Sequence, residues 1–298
     1  NIENVYRAKW SIVDSCSSEY NTSDEMRQKS VRLQLMGLKD IISRYKGVEA
    51  VTLSYFGAPY TGSNIGAKYE WDSLIFSFAE SRLVSEEYPL VYRMKGKSST
   101  SEELSQMLKE NKLIISNKLS NKFFGDEPVI GARLTCEGHE ALLGDVLESS
   151  RYEETKEMGY IVYLLLGDID SWGMSSSFSL EFRVRDNEVE GFVERFREDM
   201  EQMRYGNVFV SDISSLIDVR DSYQRNQSVD RKMRYGVVAF LLVNVFIGII
   251  GTFWYRTEQR KREMGLRMAI GSTRNHLRYI LFSEGLLILS LSYILTLI

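Results

Sequence analysis

The chain has 298 residues, 44% of them hydrophobic and 26% charged with only 3 Pro, a composition that suits roughly two ordered domains and excludes disorder and collagen-like repeats. Lys and Arg number 37 against 41 Asp and Glu, for a net charge of −4, so no overall basic field points to nucleic acid as a partner. That average hides an asymmetry between the C-terminal segment and everything before it.

The chain begins at Asn1, without Met and without a charged start followed by an apolar run, and it stops inside an apolar segment. A membrane helix before Asn1 and further chain after Ile298 are therefore expected. Cys16 and Cys136 could pair in an oxidising compartment or remain unpaired thiols, and two cysteines leave both readings open. The first helix is expected from a capping pair at Ser23-Asp24, with Val31, Leu35, Leu38, Ile42 and Tyr45 on one face and Gly47 at its end. A strand over Val48 to Tyr55 follows, with Val51, Leu53 and Tyr55 sharing a face.

Residues Gly57 to Ser175 are mixed in character. A Gly-rich turn region precedes a strand around Ser73 to Phe78; a short helix, a strand at Lys112 to Ser116 and a helix closing at Gly125 come next. ALLGDVLES and the apolar run GYIVYLLLG read as strands, the latter too short to span a bilayer. Beyond them FSLEFRVR (Phe178 to Arg185) alternates strictly and turns at Asp186-Asn187. A helix then carries Val189, Phe192, Val193, Phe196, Met200 and Met203 on one face, before the short strand NVFV. The fold class expected is an α+β extracytoplasmic domain: a split α/β subdomain formed by 1–56 and 176–211, with a second α/β subdomain, 57–175, inserted between its halves.

The stretch 212–236 is polar, free of Pro, and runs straight into an apolar segment. A continuous stalk helix is the economical reading and a flexible linker is the alternative. Val237 to Tyr255 is nineteen residues without a charge. As a helix it measures ~28 Å, close to the ~30 Å hydrocarbon thickness of a bilayer, and Trp254-Tyr255 adds an interfacial aromatic pair. A second apolar stretch, 279–298, is broken only by Glu284, which either serves function or, near the segment end, snorkels or faces a neighbouring helix. Between the two lies 256–278, with seven Arg and Lys against two Glu. The positive-inside tendency puts this short loop in the cytoplasm and residues 1–236 outside, although Arg220, Arg225, Arg231, Lys232 and Arg234 crowd the other end of the span.

Catalytic chemistry finds no foothold. His139 and His276, the only histidines, fall on opposite sides of the expected membrane and suit neither zinc nor a triad. Gly96-Lys97-Ser98 lacks the glycine that a phosphate loop needs five positions earlier, where Val91 stands, and reads as a surface turn; Gly62 to Lys68 fails the same template. Asn21-Thr22-Ser23 and Asn226-Gln227-Ser228 fit glycosylation sequons, a pattern common by chance. No cofactor and no metal site are expected.

The loop itself is the informative segment. Glu263-Met264-Gly265-Leu266-Arg267-Met268-Ala269-Ile270-Gly271-Ser272-Thr273 places two glycines around Leu266, Met268, Ala269 and Ile270, a short amphipathic helix with one exposed apolar side and the form of a docking element. With Arg260, the run resembles the cytoplasmic signature of the FtsX-like permease family, approximately R-x-x-E-[IM]-G-[IL]-R-x-A-[IL]-G-[AS]-[ST]. Lys112 to Leu134 and Leu142 to Tyr152 also resemble stretches of the MacB-like periplasmic core, with Asp145 departing from that family's usual I-G-V-V.

The resemblance implies a permease subunit of a MacB-type ABC transporter in the bacterial inner (cytoplasmic) membrane. It has porter and sabre subdomains outside, and a loop that contacts a cytoplasmic ABC ATPase, fused or separate. It implies no enzymatic activity in this chain, a dimer of permeases surrounded by membrane lipid, and, as further partners, a periplasmic adaptor and an outer-membrane channel. The coupling residues it implies are Arg260, Glu263, Met264, Gly265, Leu266, Arg267, Met268, Ala269, Ile270, Gly271 and Arg274. The function so implied is transmission of ATP-driven motion to the periplasmic domain for efflux or export; the alternative is a membrane-anchored sensor or scaffold without transport.

Overall fold

A computed structural model of the chain describes residues 2–14, 16–17, 31–61, 64–125, 130–136, 139–148, 159–167 and 177–297. The expected cap at Ser23-Asp24, the sequon at Asn21 and the side chain of Glu284 lie outside the described residues. Contacts divide the chain into two units, 1–226 and 227–298.

The first unit contains eleven described strands in one sheet with two distinct portions. In the open portion, β1 (Val5–Ile12) lies between β9 (Phe178–Val184) and β11 (Val208–Ser215) and is antiparallel to both, so that Tyr6 is opposite Phe182 on one side and Ser215 on the other. β2 (Val48–Tyr55) takes the other edge of β9, and β10 (Arg204–Tyr205) borders β11. The helices α1 (Val31–Ser43) and α5 (Phe192–Glu198) cover one face. The 4, 3, 4 spacing of Val31, Leu35, Leu38 and Ile42 brings these side chains to one side of α1, and the last three are fully buried against Val51, Leu53, Leu180 and Phe182. Phe182 stacks on Phe196 with ring centroids 5.4 Å apart. Each such ring contributes about 1.5–3 kcal/mol on burial.

The other portion closes on itself. β3 (Ile65–Trp71) and β4 (Leu74–Val84) form a hairpin, followed around by β6 (Arg133–Cys136), β7 (His139–Leu147), β5 (Leu113–Ser116) and β8 (Ile161–Leu165). β8 then pairs in parallel with β4, Glu80 to Val84 against Ile161 to Leu165, and six strands become a ring. Its core holds Tyr69, Ala79, Ile115, Leu134, Val146 and Val162, sealed by Leu119 and Phe123 of α4 (Asn117–Phe124). β4 belongs to both portions: it pairs with β3 as far as Ser81 and with β2 at Leu83 and Val84. Two further helices, α2 (Tyr88–Tyr92) and α3 (Ser101–Lys109), pack at this junction, where Val5, Val84, Tyr88, Val91 and Leu104 are buried together. Thr100 and Glu103 form a reciprocal capping box on α3.

Several expectations are corrected. The strand expected at Ser73 to Phe78 extends to Val84, because β8 supplies a second partner for its distal half. The helix expected over Val189 to Met203 is regular only from Phe192 to Glu198, with short 3-10 turns on either side. The strand read as NVFV continues to Ser215, drawn out by its pairing with β1, so residues 212–215 are strand and not stalk.

The helix that follows, α6, runs from Leu216 to Ala269 without interruption. The reading of 212–236 as a possible flexible linker and of the loop as a separate short helix both give way to this single element. Its loop portion, RTEQRKREMGLRMA, has no Pro and is rich in Arg, Lys, Glu and Gln, all strong helix formers. The second unit comprises the rest of α6 and α7 (Arg274–Leu297). α6 includes an 18-residue window of mean hydropathy 2.4 with none of it buried, long and apolar enough to cross a membrane.

Candidate functional site

The segment from Arg256 to Arg274 is the last part of α6, a tight turn, and the start of α7. On α6, Glu258 pairs with Lys261 and Glu263 with Arg267, the latter at 2.7 Å with the acid N-terminal, the better orientation on a helix. The helix ends in a Schellman arrangement: Gly271 N–H donates to the Met268 carbonyl at 3.1 Å and Ser272 N–H to that of Arg267 at 3.0 Å. Gly271 takes a φ of +99°, where a Cβ is strained, so this glycine is required by the turn. The Thr273 carbonyl then accepts from the N–H groups of His276 and Leu277, starting α7 at Arg274.

Around this turn the expected docking residues are brought together and left open. Leu266 is 67% and Ile270 81% exposed, with Ala269 beside them; nothing lies within 4 Å of where a Cβ would stand on Gly265, so the helix backbone is bare there. Met264 is partly exposed, and Arg260, Glu263, Arg267 and Arg274 face outward. Met268, however, follows Leu266 by two helical residues, about 200° around the axis, and does not share its face. The apolar side consists of Leu266, Ala269 and Ile270.

Other candidates lose ground. No group of three or more His, Cys, Asp or Glu among the described residues could hold a metal ion. The Gly96-Lys97-Ser98 turn is held by the buried Asp145, whose carboxylate accepts from Ser98 Oγ at 3.2 Å and Val146 N–H at 2.7 Å and lies directly against Gly96. A carboxylate thus occupies the space a phosphate would need, and the departure noted at Asp145 has a structural role. No disulfide joins Cys16 and Cys136.

One buried polar centre escaped the sequence reading. Glu181, on the face of β9 opposite the apolar core, is fully buried and paired with Arg7 Nε at 3.1 Å and with the Ser179 hydroxyl. Burial pushes its carboxyl above the ordinary range despite the Arg7 charge. Arg183 beside it, whose charge burial disfavours, donates to the Val91 carbonyl at 2.7 Å and the Glu3 carbonyl at 2.8 Å. Strict alternation marks these positions as solvent-facing; the helix α2 laid over that face makes them interior.

Comparison with known proteins bears on the C-terminal part. Residues 235–298 match the family described as FtsX-like permease C-terminal. This part of the chain is similar to the C-terminal region of FtsX-like permeases. The whole signature from Arg260 to Arg274 lies within it, as do the end of α6 and all of α7. Among solved structures, the chain is similar to the periplasmic region of MacB from Actinobacillus actinomycetemcomitans, with 10% identity, a TM-score of 0.46, and coverage of 75% of this chain and 94% of that one. It is also similar to the extracellular domain of the noncanonic ABC-type transporter YknZ from Gram-positive bacteria, at 14% identity and a TM-score of 0.41, covering 70% and 100%. A domain of a permease protein from Porphyromonas gingivalis aligns at 16% identity and a TM-score of 0.42, covering 59% and 76%. No curated protein sequence matches the chain.

Proposed function

We propose that the chain is the permease subunit of a MacB/FtsX-type ABC transporter, converting ATP-driven movement of a cytoplasmic ATPase into movement of its outer domain. In this reading α6 crosses the inner membrane, residues 1–236 are periplasmic, and the turn between α6 and α7 is the surface on which the ATPase docks. Leu266, Ala269 and Ile270 bury apolar area against it, Gly265 lets the two backbones approach, and Glu263, Arg267 and Arg274 supply polar contacts. The split subdomain 1–56 and 176–211 corresponds to a porter-like element and 57–175 to a sabre-like one. The permeases act as a dimer, and the work done is efflux or export from the periplasm.

The observation that carries the reading is the continuity of α6. One helix begins at Leu216, fully buried in the core of the outer unit, and ends at Ala269 inside the exposed signature. In this reading that helix is the route by which a displacement at the docking turn reaches the β-domain. Co-purification of the intact permease with its candidate ATPase tests the assignment. Wild type is expected to capture the ATPase and a Gly265→Trp, Arg267→Glu variant to lose it; equal capture by both sinks the docking role.

A further inference from the structure

The membrane-proximal part of α6 contains a groove of 530 Å³. Its floor is apolar, formed by Ile249, Ile250, Phe253 and Trp254, and its rim is polar, formed by Thr257, Glu258 and Lys261. Ile250, Trp254, Thr257 and Lys261 follow one another at spacings of 4, 3 and 4 along one helix face, over roughly 16 Å. The ring of Phe253 forms the wall nearest α7, 3.7 Å from where a Cβ would stand on Gly285. Trp254 marks the level at which hydrocarbon gives way to headgroups. The groove thus changes from greasy to charged in the direction and over the distance in which a phospholipid does.

We propose that this groove binds a phospholipid with a primary-amine headgroup, phosphatidylethanolamine being the type. The charge pattern selects the occupant. The rim presents one carboxylate and one ammonium, Glu258 and Lys261, which pair with each other at 2.6 Å and are 54% and 67% exposed. So exposed a pair is weakly held and exchanges readily for other partners. A lipid phosphate takes the Lys261 ammonium, and the lipid's own ammonium donates N–H bonds to Glu258. Phosphatidylglycerol satisfies Lys261 but sets an anion against Glu258. Phosphatidylcholine keeps the zwitterion but has no N–H to donate. The Thr257 hydroxyl, already donating to the Phe253 carbonyl at 2.8 Å, is left only as an acceptor on the same rim. The inference depends on α6 crossing a membrane and is independent of what docks at the turn beyond Glu263.

The test is lipid retention by the intact permease, extracted from membranes into detergent after reconstitution with equal amounts of phosphatidylethanolamine, phosphatidylcholine and phosphatidylglycerol, and read by native mass spectrometry. Wild type is expected to retain phosphatidylethanolamine at least threefold over either competitor. Glu258→Gln should bring the ratio to one, and Lys261→Gln should lower retention of all three. Should a variant fail to fold, the wild type answers alone against the mono-, di- and trimethylated amine series, where retention should fall stepwise as N–H groups are lost. Equal retention of the three lipids, a preference for phosphatidylglycerol, or an amine preference that survives Glu258→Gln overturns the proposal. Because retention does not depend on the ATPase, its failure is distinguishable from a failure of the docking assignment.

Discussion

Gly265 and Gly271 stand six residues apart in the same run and answer to different constraints. Gly271 is held at positive φ by the Schellman turn, so Gly271→Ala should cost about 1–2 kcal/mol, seen as a lower thermal midpoint of the detergent-solubilised protein. Gly265 sits inside a regular helix with open space around it, so Gly265→Ala should raise that midpoint, by up to about 1 kcal/mol in stability. An ordering with Gly265→Ala the more damaging of the two would contradict this division. Glu181 makes a further residue-scale prediction. With its carboxyl raised above 4.5 by burial, the folded state holds the proton more tightly than the unfolded chain. Its contribution to stability is therefore complete below 4.5 and declines as pH climbs through the folded value. The Glu181→Gln variant should accordingly gain on wild type as the buffer is moved from acid to neutral pH in parallel unfolding titrations, whereas a gap that stays constant would refute the shift.

Among the elements, α6 bears the functional argument, and its exposed middle is where it can be broken. Met233 is 67% exposed on the polar stretch before the apolar run, so its side chain has little to lose. Met233→Pro removes a backbone hydrogen bond and kinks the helix at a cost of about 3 kcal/mol, whereas Met233→Ala leaves it straight. If the helix carries displacement, the proline variant should keep ATPase capture and lose transport while the alanine variant keeps both. Transport by the proline variant at the wild-type rate would mean that movement reaches the outer domain by another route. The opposite end of α6 is held by Leu216, buried with Val5 and Val84, and by Tyr223, whose ring lies 6.1 Å from that of Tyr60.

At the scale of the molecule, what could be read in advance was what is local. The uncharged run from Val237, the periodicity of α1 and the alternation of β2 and β9 each depend on residues close in sequence, and each reappears in the structure. β1 went unread although it alternates, with Tyr6, Ala8, Trp10 and Ile12 on one face and Arg7, Lys9 and Ser11 on the other: its partners β9 and β11 lie far along the chain, so no turn or neighbouring element marks it. The closure of the ring was hidden for another reason: it depends on parallel pairings, β4 with β8 and β5 with β7, between segments separated by long connections. At the turn between α6 and α7, the run of residue types was legible from the signature, but the fusion of the charged loop and the apolar run into one helix was not, since a charged segment after an apolar one carries the same local pattern whether or not the helix stops between them. The two sheet portions also differ in when they can be made. Every strand of the ring is contained in Ile65 to Leu165, whereas β1 is flanked by β9 and β11, so that Tyr6 must find Ser215. As the chain emerges in order, the ring has all its strands while β1 still has neither neighbour. The N-terminal strand must therefore wait, with both edges open until β9 is made and one until β11 is, which leaves it in need of a chaperone's protection during synthesis.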